Sequence, residues 1–166
     1  MSTELKLVLL TIVSTVIIMA GGMIFLSSSQ APQVASSQNA KAYTIDPTSA
    51  DWGDIPMSKG NVTKVFTIKN TGTDTLKFYN IKTSCHCTKA RLTIGSESSA
   101  DFGMDSYSSW VGQLAPGKEA KLSVIFDPNY HGPQGVGPIN RFVSIETNDK
   151  TNPKLTFTVT GVVVKK

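Results

Sequence analysis

Two periodicities divide this chain. From Leu7 to Leu26 the run LVLLTIVSTVIIMAGGMIFL is apolar on every side and carries no charge, as expected of a helix without a polar face. Further on, the spacing changes to alternation. EAKLSVIFD sets Ala120, Leu122, Val124 and Phe126 against Lys121, Ser123 and Asp127. KLTFTVTGVVV opposes Leu155, Phe157, Val159 and Val163 to Lys154, Thr156, Thr158 and Thr160. INRFVSIET turns Ile139, Val143 and Ile145 inward, and TKVFTIKN offers Phe66 and Ile68. Alternation of this kind predicts half-buried strands. The intervening NTGTD (70–74), APGK (115–118) and NDKTNP (148–153) have the composition of turns. Short strands with no helical pattern between them predict an all-β body, a β-sandwich.

One strand is out of phase with itself. In TLKFYNIKTSCHC, Leu76 and Phe78 hold even positions, while Tyr79, Ile81, Cys85 and Cys87 hold odd ones. A bulge near Phe78 reconciles the two halves. If the strand stays extended past Thr83, both thiols share the face of Ile81 and His86 points the other way.

The apolar run is long enough to span a bilayer, since about 20 helical residues rise about 30 Å. A signal peptide is the competing reading, but its apolar core is normally about 7 to 15 residues. The small residues Ser29 and Ala31 make a poor cleavage site, because Pro32 follows them. We therefore expect residues 1–26 to form an uncleaved anchor. Lys6 precedes the span and no positive charge follows it until Lys41. That places the amino end in the cytoplasm and the body in the periplasm or outside the cell. Residues 27–42, rich in Ser, Gln, Ala and Asn, are expected to be a flexible linker, with the folded domain at 43–166.

The order FTIKNTGTDTLKFYNIKTSCHCT, LAPGKEAKLSVIFDP, INRFVSIETNDKTNPKLTFTVTGVV resembles the immunoglobulin-like family labelled domain of unknown function 1573, related to Hydin-type and PapD-like sandwiches. The resemblance runs from about Tyr43 to Val164. The family's Ser-Cys-Gly-Cys-Thr stretch is matched by Ser84, Cys85, Cys87 and Thr88, with His86 in place of the glycine. It implies an immunoglobulin-like β-sandwich of about seven strands, exported or membrane-anchored, with no activity attached. In that topology the loop after LSVIFDP lies at the cysteine end, so His131 approaches Cys85 and Cys87. The domain's N-terminus lies at the opposite end.

Two long connections stand out: Gly95–Gln113, holding Tyr107 and Trp110, and the Gly- and Pro-rich Asn129–Pro138. Each is a binding loop or a tolerated insertion, and Trp110 and Tyr107 either plug the sandwich or meet a partner.

Cys85 and Cys87 are the chain's two cysteines, and four uses are open to them. They can pack as small hydrophobes, leaving a non-enzymatic binding or structural module for an envelope or extracellular protein, the favoured reading. They can hold a soft ion such as copper(I), with His131, His86 or Met104 adding a ligand; zinc is harder, because a closed site needs four ligands. They can exchange disulfides, with His86 and Lys89 favouring the thiolate. A bridge between them is awkward on an extended strand, where their Cα atoms stand about 6.5 to 7 Å apart. No enzymatic activity and no resident cofactor are expected. Phosphate loops, zinc-protease helices and nucleophile elbows do not occur. The net charge of +4 is spread along the body without a basic cluster, which argues against nucleic acid. Asn61 begins an NVT sequon, meaningful only in a glycosylating host.

Overall fold

The computed structural model describes residues 3–27 and 32–165, in two compact units that divide between Ala31 and Pro32. The first holds helix α1, Thr3–Ser27. Its stretch Thr3–Gly22 is long and apolar enough to cross a membrane or to act as a signal sequence. The hydroxyls within it bond back to the helix: Thr11 donates to the Val8 carbonyl at 2.8 Å, and Ser14 and Thr15 donate to the Thr11 carbonyl. Those side chains are thus satisfied without water, as lipid requires.

The second unit is the expected sandwich. Its strands are β1 Ala42–Thr44, β2 Ser49–Pro56, β3 Val62–Asn70, β4 Leu76–Thr83, β5 Thr88–Ile94, β6 Glu97–Ser98, β7 Gly112–Leu114, β8 Glu119–Phe126, β9 Gly137–Thr147 and β10 Lys154–Val164. Seven of these span seven residues or more, in agreement with the expected number; β1, β6 and β7 are short edge additions. One sheet runs β1-β3-β8-β5-β6, the other β2-β10-β9-β4-β7. Ladders are antiparallel except β2, which runs parallel to β10.

The alternation read from sequence places the core. Ala120, Leu122 and Val124 are fully buried beside Phe66 and Ile68 of the neighbouring strand β3, in one core with Val143, Ile145, Phe157 and Val159 of the opposite sheet. A smaller cluster closes one end: Ile55, Cys87, Phe126, Ile139 and Val163. The bulge in β4 falls at Asn80, two residues beyond its expected place. There the register with β9 shifts between Tyr79 and Lys82, and Asn80 takes φ 47°. Asparagine tolerates this left-handed conformation better than most residues. Leu76 and Phe78 before it and Ile81 and Thr83 after it are all buried.

The long connection 95–113 is partly core. Phe102 bridges Ala90 in the ladder direction and packs on Trp110, ring centroids 5.6 Å apart. Trp110 therefore plugs the sandwich. Tyr107 is exposed, with Lys82 Nζ 4.5 Å from its ring centre.

The polar stretch 27–42 departs from expectation. Residues 28–31 lie outside the described residues, but from Ser37 the chain is bound to the sandwich. The Ser37 amide donates to the Asn148 carbonyl at 2.7 Å, and the Lys150 amide donates back to Ser37. Ala40 is fully buried. The Ala42 amide donates to Asp149 Oδ2 at 2.9 Å. This segment orders by borrowing hydrogen-bond partners from the 148–152 turn rather than by burying large side chains. The folded unit thus begins before Tyr43.

Asp149 is the hub of that turn. Burial alone would raise its pKa. Hydrogen bonds from the Ala42, Thr151 and Asn152 amides and from the Asn152 side chain outweigh burial and hold it below the ordinary carboxylate value. A lowered folded-state pKa means stabilisation that is complete above the unfolded value of about 4 and lost as pH falls through the folded one. We expect Asp149→Ala to cost about 2 to 4 kcal/mol at pH 7, because buried amides lose their acceptor. Urea titrations at pH 7 and pH 3 should show the wild type losing more stability on acidification than the variant.

Candidate functional site

Strand β4 ends at Thr83, and the next residues turn instead of extending. Ser84 is locked to β9 in both directions: its amide donates to the Phe142 carbonyl at 2.9 Å, and its Oγ accepts from the Phe142 amide at 2.9 Å. The Thr88 amide donates to the Cys85 carbonyl at 3.1 Å, closing a tight turn over Cys85, His86 and Cys87. The buried Thr83 hydroxyl braces it from inside, 3.0 Å from the carbonyls of Cys85 and Thr88. This folding draws the cysteine Cα atoms to 5.2 Å, and the two sulfurs are joined in a disulfide. The awkward bridge of the extended reading is therefore made, because the strand stops one residue before the motif.

The two sulfurs have different surroundings. Cys87 is 2% exposed and belongs to the small end cluster. Arg141, from β9, donates from Nε to Cys87 Sγ at 3.2 Å while its guanidinium lies 5.8 Å from the Phe126 ring centre. Cys85 is only partly buried. His131 Nε2 stands 3.8 Å from its Sγ, and the Cys87 amide donates to that same sulfur at 3.2 Å.

His131 is delivered by the loop after β8, at the cysteine end, as the sequence predicts. Asp127 starts the loop: its amide donates to the Cys87 carbonyl, and its Oδ1 accepts from the Asn129 amide. Asn129 Nδ2 then donates to the Met57 carbonyl at 2.9 Å. Tyr130 meets the imidazole edge-on, centroids 5.1 Å apart. Gly135 folds back beneath it, where an added Cβ would come within 3.1 Å of His131 Cβ. The strand that begins the sandwich, β1, pairs with β3 at Ile68–Asn70, the opposite end from Val62 and Phe126. This too is the expected arrangement.

His86 is not part of the cluster. At the tip of the turn it faces Asp105, Nε2 to Oδ2 3.3 Å. Met104 is exposed in the adjoining turn. Among the described residues, Cys85, Cys87 and His131 form the group with metal-binding potential, their ligand atoms all within 4.8 Å of one another. Beside Cys87 an open cleft of about 290 Å³ is lined by Asn61, His86, Asp127 and Tyr130, among others.

Arg141 is the residue that sequence reasoning missed, although its signal was present. It occupies the same alternating face as Ile139, Val143 and Ile145, and so is an inward-facing charge in a strand. Half-buried, its guanidinium finds partners in the Asn140 carbonyl, 2.9 Å from one terminal nitrogen, and in Cys87 Sγ, 3.2 Å from Nε.

Comparison with known proteins supports the resemblance read from the sequence. Residues 43–98, about a third of the chain, match the family described as protein of unknown function (DUF1573). No curated protein matches. Among solved structures, a protein of unknown function from Porphyromonas gingivalis W83 is similar at 19% identity and TM-score 0.57, over 78% of this chain. The chain spans about half of that protein, 49% of its length. The ASH / PapD-like domain 7 of human CEP192 is similar at 18% identity and TM-score 0.48, over 80% of this chain and 92% of that one.

The Thr83 hydroxyl is the brace most open to a local test. Thr83→Val keeps the shape and removes the donor to both carbonyls. A loss of about 1 to 2 kcal/mol is expected, read as a lower urea midpoint at unchanged slope.

Proposed function

We propose that this protein is a membrane-anchored, extracytoplasmic immunoglobulin-like module that binds an envelope or extracellular protein and exchanges two electrons with that partner's dithiol through Cys85 and Cys87. Helix α1 is the anchor, with its amino end on the cytoplasmic side. A disulfide persists in oxidising compartments outside the cytoplasm, which agrees with that topology. The sequence alone favoured inert packing of the thiols. The bonded pair and its unequal surroundings favour exchange.

The observation that carries the reading is the contact of Arg141 with the buried sulfur beside an accessible one. A partner thiolate attacks Cys85 Sγ, the more exposed sulfur. The Cys85–Cys87 bond breaks, a mixed disulfide forms on Cys85, and its electron pair leaves on Cys87 as a thiolate. The guanidinium of Arg141 stabilises that leaving group, which speeds exchange. The partner's second thiolate then attacks its own sulfur in the mixed disulfide and releases Cys85 as a thiolate, beside His131 and the Cys87 amide. Two electrons and, after protonation, two protons pass to this chain, and the partner leaves as a disulfide. The reverse sequence reduces a partner disulfide and closes the Cys85–Cys87 bridge again.

Single serine variants distinguish the roles. Cys87→Ser leaves Cys85 free to attack a partner disulfide without a resolving thiol, so it should trap a mixed disulfide visible on non-reducing gels. Cys85→Ser should trap little. Arg141→Gln should slow reduction of the wild-type disulfide by a small dithiol about tenfold, the effect of losing about 1.4 kcal/mol from the leaving thiolate. Equal trapping by both serine variants, or an unchanged rate in Arg141→Gln, would refute the assignment.

A further inference from the structure

We infer that the opened pair is also a binding site for a monovalent soft metal ion, copper(I), held by Cys85 Sγ, Cys87 Sγ and His131 Nε2. The inference rests on the reading that the disulfide opens, since a bonded pair offers no thiolate. Three features of the site lead to it.

The first is the donor set. Two thiolates and one imidazole suit a soft ion, for which sulfur ligands select. The second is spacing. With metal–ligand bonds of about 2.0 to 2.3 Å, ligand atoms at a trigonal centre stand roughly 3.5 to 4 Å apart. The edge from His131 Nε2 to Cys85 Sγ already measures 3.8 Å. All three ligand atoms lie within 4.8 Å of one another, so loading requires the Cys87 sulfur to swing away from Cys85, in a turn whose backbone is held by Thr83, Ser84 and Thr88. The third is charge and ligand number. Two thiolates and a copper(I) ion carry one net negative charge, which Arg141, in contact with Cys87 Sγ, neutralises. A zinc ion would make the thiolate centre neutral and leave the guanidinium beside Cys87 without a counter-charge. Among the described residues the cluster also offers three ligand atoms, one short of a closed zinc site. His86, paired with Asp105 across the turn, stays out of the coordination.

Loading releases two thiol protons and changes no oxidation state. Closing the disulfide requires a partner disulfide as electron acceptor and removes both sulfur ligands, so the ion leaves. Electron exchange and metal retention are thus mutually exclusive states of one site.

The test uses the full chain in detergent micelles, reduced anaerobically by a phosphine that is then removed. Thiols are counted by alkylation on a parallel sample. Copper(I) is supplied in competition with a chromogenic copper(I) chelator. One copper per chain is expected in the dithiol form and none in the disulfide form, with X-ray absorption reporting two sulfur ligands and one nitrogen. His131→Ala should weaken retention at least tenfold, and Arg141→Gln by about 10- to 100-fold. Zinc(II) at equal concentration should not displace the copper. A chain with two countable thiols that holds no copper, or holds it equally without His131, overturns the inference. A disulfide that yields to phosphine but not to a protein dithiol refutes electron exchange alone and leaves the copper result to stand by itself. One that resists both overturns both.

Discussion

The left-handed kink at Asn80 is the constraint on which the rest of the cysteine end depends. Before it, β4 buries its even positions, Leu76 and Phe78; after it, the odd positions Ile81 and Thr83. Were β4 a regular pleat through Asn80, Thr83 would lie on the solvent face. The hydroxyl that braces the turn would then be lost from the interior. The kink is itself supported from β9, because Asn80 Nδ2 donates to Glu146 Oε1 at 2.6 Å. A bulge next to a working site re-aims side chains in this way elsewhere in β proteins. Here its consequence is a turn tight enough to join neighbouring cysteines.

That turn is organised by hydrogen bonds rather than by the disulfide it carries. A bridge with a sequence separation of 2 constrains little of the unfolded chain. The loop-entropy relation gives about 1.6 kcal/mol, against about 3 kcal/mol for a loop of about 15 residues. Ser84 on β9, Thr83 beneath the turn and the Asp127 amide on Cys87 hold the backbone independently of sulfur chemistry. The site can therefore open without unfolding its frame. This separation between what holds the turn and what reacts in it is what electron exchange and metal loading both require.

Alternation made most of the fold legible, because sandwich strands bury one face and the period of two reports it directly. The placement of His131 followed from the immunoglobulin-like topology that the family resemblance implies. The pattern failed where polar groups are buried. Arg141 keeps the inward phase of β9, but as a charge it was not counted with the core. Asn70 and Asp149, in segments that read as surface turns, are fully buried. Their partners are backbone groups far along the chain, such as Leu114 for Asn70 and Ala42 for Asp149. Composition carries no trace of such pairings. The cysteine turn was missed for a related reason: the strand ends where Ser84 finds Phe142, a tertiary contact and not a local propensity.

The two ends of the sandwich consequently do different work. At the end holding β1, Asn70 donates to the Asp74 and Leu114 carbonyls. Gly72 there lies so close to the Asn39 carbonyl that no side chain fits. Asn148 satisfies the Lys77 amide and the Thr75 carbonyl, and Asp149 ties down the entering chain. Buried polar groups are nearly all matched there, and such networks rigidify. At the other end the small apolar cluster is capped by the disulfide, with Arg141 Nε aimed at Cys87 Sγ and the Cys87 amide at Cys85 Sγ. A sulfur atom is a weak acceptor, so these donors are only partly satisfied while the bridge is closed. Thiolates would satisfy them fully. The backbone of that end is held by hydrogen bonds of ordinary strength, and the weakly accepted donors are those that meet its sulfurs.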